Sequence, residues 1–311
     1  MKQGFGIKVL GFVGLFLLTL FIFFPLNNLK GYIFDKVYRA SGVLLISESI
    51  YISFLGIPGV GMKNVSVTLP LAEEEIELHS ESVTLRPSFS GFFPPHPGLS
   101  IKISNLKKGG DIYTKIGKGG HSVSFYLDAE NVNLDQVGAR NGGPPISGDL
   151  NISSDINFNE ADVSKSTGFF KMTASDLKIN QQTLSPPDPA MAAFSFLVPA
   201  MKIGKLTGSL AMKNGILEIT QFKFGEEASS DFKGNISGEF KLEKIFEQST
   251  FNVALKLKLS QKILDNPDAK TFTSFLSSYQ LAPGEYGLKW NASVKDFTNF
   301  SIKAIPEKLN N

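Results

Sequence analysis

Imidazole is scarce in this sequence, which offers only His79, His96 and His121 in 311 residues, and no cysteine at all. A zinc site or a histidine-based acid–base pair needs such groups at short, regular spacing, and no two of the three have it. His79 closes the stretch "EEEIELH", where Ile76 and Leu78 alternate onto one face of a strand and leave His79 on the other. His96 falls in a proline-rich loop and His121 follows a glycine turn. Serine is abundant, yet no G-x-S-x-G elbow occurs to present one as a nucleophile. "GIPGVG" (56–61) and "GKGG" (117–120) have the glycines of a phosphate loop, but neither opens a helix or keeps the fingerprint spacing, so both read as turns. Glu73, Glu74 and Glu75 could hold calcium or a basic partner; at a strand start they read as a solvated loop. The lack of cysteine excludes disulfides, thiolate metal sites and cysteine nucleophiles together. A hydrolase assembled from scattered Ser, Asp and His would need a compact site with a shifted pKa. The sequence therefore predicts a non-enzymatic protein with no catalytic, cofactor-binding or metal-binding residues. A net charge of +2 gives no electrostatic case for nucleic acid.

What remains is apolar patterning, and it has two regimes. Val9 to Phe24, "VLGFVGLFLLTLFIFF", is an uncharged run, preceded by Lys8 and extended by Pro25-Leu26. On an insertion scale its Leu, Ile, Val and Phe residues sum to about −4 to −8 kcal/mol, enough to favour a membrane span. A cleaved signal peptide shares the basic start and apolar middle, but "PLNNLKGYIF" follows with no small-x-small cleavage site, which favours an uncleaved anchor. A tail of a few residues stays in the cytoplasm, so residues 1–6 are assigned there, 7–26 to the anchor, 27–42 to a juxtamembrane helix and 43–311 to an exported β-rich domain. In a bacterium this is a single-pass inner-membrane protein whose C-terminal part lies in the periplasm.

The helix is expected from Asn27 or Asn28 as cap through about Ala40, with Leu29, Ile33 and Val37 on one side and Gly42 as the stop. From Val43 the apolar period becomes two. Runs such as Val65-Val67-Leu69-Leu71, Leu99-Ile101-Ile103, Val123-Phe125-Leu127, Phe170-Met172-Ala174 and Tyr286-Leu288-Trp290-Ala292-Val294 alternate with polar residues, the mark of antiparallel sheet with one dry and one wet face. In "GSLAMKNGILEITQFKF" (208–224), Asn214-Gly215 is the strongest short hairpin signal, because a type I′ turn needs positive φ at both central residues. Pairing outward sets Met212 opposite Leu217 and Leu210 opposite Ile219, and a phase slip before Phe222 implies a bulge near Thr220-Gln221. Two helical interruptions are expected, one after Asp188-Pro189 through about Leu197. The other is capped by Asp265 or Asn266, with Pro267 first and Phe272, Phe275, Leu276 and Tyr279 at helical spacing over an end of the dry face.

The anchor, "FPLNNLKGYIFDKVYRASGVLLISES" and "GVGMKNVSVTLP" resemble the start of the type II secretion system protein N family. The resemblance resumes at "IGKLTGSLAMKNGILEITQFKFGEEASSDFKGNISGEFKL" (203–242): a strand, an Asn-Gly turn, a second strand and a Gly-x-Ile-x-Gly strand. It implies a bitopic inner-membrane accessory of the machinery that moves folded proteins across the outer membrane, with other secretion subunits as partners and no catalytic residues to carry over. The N-terminal plan is also similar to that of AsmA-like proteins, whose curved sheets are proposed to carry lipid.

The expected fold is therefore mainly β: an N-terminal transmembrane helix, then a large curved antiparallel sheet, open or partly closed and sandwich-like, with a few short helices. Leu210, Met212, Leu217, Ile219, Phe251, Val253, Leu255, Leu257, Leu288 and Trp290 are the candidate apolar residues. They line either a closed core, favoured for a secretion scaffold, or an open groove for lipid. At about 25 cal/mol per Å², four or five such side chains per strand represent several kcal/mol that must be hidden from water.

Overall fold

The computed structural model describes residues 26–41, 44–53, 57–71, 74–90, 96–136, 146–184, 196–298 and 305–309. The expected membrane-spanning run lies, apart from Leu26, outside them. Among the described residues no helix is long and apolar enough to cross a membrane.

Helix α1 (Leu26–Ser41) leads into a meander of antiparallel strands: β1 (Leu44–Ser53), β2 (Gly59–Leu71), β3 (Glu74–Ser90), β4 (His96–Leu106), β5 (Asp111–Gly119), β6 (Ser122–Asn133), β7 (Ile146–Asn159) and β8 (Thr167–Ile179). After a short pair, β9 (Gln182–Leu184) and β10 (Phe196–Val198), it resumes with β11 (Met201–Lys213), β12 (Ile216–Phe224), β13 (Phe232–Lys241) and β14 (Thr250–Leu259). The helices α2 (Gln261–Leu264) and α3 (Lys270–Leu276) follow, then β15 (Gln280–Ala282), β16 (Glu285–Ser293), α4 (Val294–Thr298) and β17 (Glu307–Lys308). Each strand from β1 to β8 pairs with the next, β8 pairs with β11, and the order continues β12, β13, β14, β16, giving one 15-stranded sheet with β15 and β17 on its last full strand. Sequential pairing is what short turns between alternating runs produce. Among the described residues the only other sheet is the β9–β10 pair.

The hairpin at the centre forms as its sequence dictates. Asn214 has φ 55° and Gly215 φ 73°, and the pairs Met212–Leu217 and Leu210–Ile219 hold. Ser209 pairs with Gln221 while Leu210 pairs with Ile219, so Thr220 is the extra residue of a bulge, and its hydroxyl donates to the Ser209 carbonyl at 2.9 Å.

Three local expectations are corrected. Helix α1 starts at Leu26, and Asn27, expected as its cap, instead accepts a hydrogen bond from the Ile50 N–H of β1. Phe196 and Leu197, expected in a helix, form β10 against Leu184 and Thr183, because their β-branched and aromatic surroundings find a partner strand; residues 185–195 are outside the description. Asn266 does cap the next helical segment, accepting from Asp268 N at 3.0 Å, with Pro267 in first place. Of the residues assigned to its inner side, Leu276 is buried and Tyr279 packs on the core, but Phe275 is 65% exposed, since the helical turns rotate it outward to meet the edge of Tyr279.

Candidate apolar binding face

Register places the alternating residues of the whole meander on one surface. One row can be followed from strand to strand as Ile52, Val60, Leu85, Ile101, Thr114, Leu127, Ser154, Phe170, Leu210, Ile219, Gly238, Val253 and Trp290. The adjacent dry row runs Pro87, Leu99, Ile116, Phe125, Ile156, Gly168, Met212, Leu217, Phe240, Phe251 and Ala292. The opposite surface carries Tyr126, Asp155, Phe169, Glu218, Glu239, Asn252 and Asn291, where Lys115 and Lys171 lie over the rings of Tyr113 and Phe169.

Coverage of the dry face is graded along the strands. At one end, the capped end, Ile263, Ala269 and Leu276 from α2, α3 and the turn between them pack on Leu177, Met201, Ile203, Phe224, Leu257, Leu259, Tyr286 and Leu288, all buried. Burial pushes the Tyr286 phenol above its ordinary pKa. Strand β10 lies against α3 and joins this cap. At the opposite, open end Phe125, Ile156, Leu217, Phe240 and Phe251 are half-buried, with Phe240 and Phe251 stacked at 6.3 Å, while Met212 and Ala292 of the same row are buried. Two residues there are more exposed, Leu99 at 42% and Ile116 at 44%.

The ten candidate residues share this face but not one environment. Leu257, Leu288 and Met212 are buried. Leu255 and Trp290 are half-buried against the capped core, and Leu210, Leu217, Ile219, Phe251 and Val253 are half-buried on the way to the open end. The candidate residues thus range from buried to half-buried along the same strands. Leu99, Ile116, Phe125 and Phe170 belong to the surface as well; the alternating runs of Leu99, Phe125 and Phe170 were visible in the sequence, but nothing in a run says which end a helix will cover.

The cap is held down by a polar pin. Asp231, in the turn before β13, is 7% exposed in its side chain and accepts from the Lys202 N–H at 3.1 Å, Lys262 Nζ at 3.0 Å and Ser260 Oγ at 3.2 Å. Lys202 belongs to β11, and Ser260 and Lys262 to the start of the cap. Burial opposes the charge on Asp231, but the Lys202 N–H, the Lys262 ammonium and Ser260 outweigh it and hold the carboxyl below its ordinary pKa. Sequence reasoning missed this residue, because an Asp between Ser and Phe in a turn carries no pattern.

Ser–Asp contacts elsewhere are local. Ser164 donates to Asp162 and Ser293 to Asp296, in each case across two or three residues at a turn. The Ser164 hydrogen bond and Lys165 lower the pKa of Asp162, the opposite of what a carboxyl serving as general base near neutrality needs. Among the described residues no three His, Asp or Glu side chains cluster as a metal site.

No known protein family, curated protein sequence or solved structure matches this chain.

Proposed function

We propose that the chain is a non-enzymatic, membrane-anchored binding module whose working surface is the apolar face of its sheet, and that this face takes the acyl chains of lipid. The observation that carries the reading is uneven cover: helices bury the face at one end, while at the other Leu99 and Ile116 are exposed and Phe125, Ile156, Leu217, Phe240 and Phe251 are half-buried, with Met212 and Ala292 buried among them. An apolar surface of this extent costs free energy in water unless something occupies it. Native mass spectrometry of the full chain released from membranes in mild detergent tests it. Retained phospholipid supports the reading; a lipid-free protein that takes up none on incubation with phospholipid overturns it.

A second reading, an accessory of the type II secretion machinery in the bacterial inner membrane, draws support from the block 203–242. It folds as a strand, an Asn-Gly turn, a strand and the Gly234-x-Ile236-x-Gly238 strand at the middle of the sheet, the plan on which the resemblance rests. Partner strands would need a free sheet edge, and β1 offers little of one, so side-chain contacts are the mode proposed for other subunits. Co-purification from solubilised membranes tests this reading: secretion subunits travelling with the chain support it, and their absence together with intact secretion in a deletion strain overturns it.

A further inference from the structure

The way the chain enters the sheet bears on which end of the apolar face meets a membrane. Helix α1 runs antiparallel to β1: Asn27, near its start, bonds Ile50, and Lys30, one turn later, bonds the carbonyls of Ser47 and Glu48, nearer the beginning of the strand. The start of α1 is therefore directed toward the open end of the strands, and its end returns to Leu44 at the capped end. One residue, Pro25, separates Leu26 from the apolar run that finishes at Phe24.

Next to that entry point Ile50, Met62 and Val83 are buried on the dry face, and the exposed part begins beyond them. Leu99 on β4 and Ile116 on β5 are register partners, and Pro87 on β3 pairs with Leu99. At about 4.8 Å per strand, Leu99 lies about 14 Å and Ile116 about 19 Å across the sheet from β1. A twist of about 20° per strand turns the corresponding ends of the distant strands away. Cover follows the same division, for Met212 and Ala292, far along the same row, are buried. Pro87, Leu99 and Ile116 carry no charge, as contact with hydrocarbon requires.

We propose that the rim of Pro87, Leu99 and Ile116 rests on the phospholipid bilayer entered by the N-terminal run, so that the row continuing through Phe125 and Ile156 opens onto acyl chains. The bilayer is the occupant because the chain itself leads there: an uncharged run of this length needs hydrocarbon, and it ends one residue from the helix whose start points to this rim. The proposal rests on the acyl-binding reading above and adds the port.

The natural absence of cysteine makes single labels unambiguous. Full-length variants Leu99→Cys, Ile116→Cys and, on the wet face, Lys102→Cys are labelled with a fluorophore in nanodiscs of phosphatidylethanolamine and phosphatidylglycerol doped with lipid carrying a nitroxide on its acyl chain. Quenching several-fold stronger at Leu99 and Ile116 than at Lys102 is the expected result. Equal quenching at all three positions, or none at the rim, overturns the proposal. Native mass spectrometry of the same preparations separates the two readings: a rim without quenching on a protein that still retains phospholipid removes the port alone, whereas loss of both removes the acyl-binding reading with it.

Discussion

The side-chain oxygen of Asn27 accepts a hydrogen bond from the backbone N–H of Ile50 at 3.0 Å, across 23 residues of sequence. With Lys30 donating to the carbonyls of Ser47 and Glu48, it gives α1 the role of a neighbouring strand, occupying polar groups that an edge strand otherwise turns to solvent. Replacing Asn27 by Ala removes one acceptor and is expected to cost about 1 kcal/mol. Amide exchange at Ile50 should accelerate while exchange at Leu255, on β14 toward the far end of the sheet, stays unchanged. Equal acceleration at both would mean that the contact guards global stability instead of the edge.

Asp231 makes stability depend on acid in a defined direction. Its carboxyl has a lower pKa folded than the ordinary 3.8, so the stabilisation is fully present above the unfolded value and is lost as pH falls through the folded one. Asp231→Asn should cost about 2 kcal/mol at neutral pH, mostly from the backbone N–H and hydroxyl bonds, because Lys262 is 73% exposed and its ion pair is screened. The variant should also show a flatter decline of stability below the ordinary carboxyl range. Urea unfolding across pH reads both quantities, and an unchanged acid limb would contradict the assignment.

Graded cover implies graded cost. Leu257→Ala removes a buried side chain beneath the cap and should destabilise by about 2–4 kcal/mol. Leu99→Ala, at a position 42% exposed, should cost well under half of that, about 1 kcal/mol or less. Comparable losses at both positions would show that the open end is covered in solution.

Ser154 interrupts the dry row between Leu127 and Phe170. It is 1% exposed, and its hydroxyl has no hydrogen-bond partner among the described residues. A buried unpaired hydroxyl costs about 1–3 kcal/mol, so Ser154→Ala should leave the fold intact and raise the unfolding midpoint. A fall in the midpoint would show that the hydroxyl has a partner in solution.

Much of this architecture was legible residue by residue, and the limits have physical causes. Asn214-Gly215 with the slip at Thr220 fixed a hairpin, its register and its bulge, because each depends on local backbone geometry. Alternation placed all ten candidate residues on one face for the same reason. It could not say that Leu257 is buried and Phe251 half-bare, since the difference is made by α2 and α3, whose contacts reach back to Met201 and Leu177 through tertiary packing. Phe275 shows how an apolar residue at helical spacing can still face outward where a short helix is flanked by tighter turns. Lys30, Asn27 and Asp231 act on backbone groups far away in sequence, a relationship that leaves no periodic trace.

The most direct test of the central claim compares two neighbours on β6. Phe125 lies in the dry row, opposite Ile116 and Ile156, and Tyr126 points to the other face, opposite Lys115 and Asp155. A photoactivatable phenylalanine analogue placed at each position of the full-length protein in cells, followed by irradiation and mass spectrometry, reads which face meets lipid. Phospholipid adducts at Phe125 and none at Tyr126 are the expected result; adducts at neither position, or equally at both, would contradict an apolar face that works by holding acyl chains.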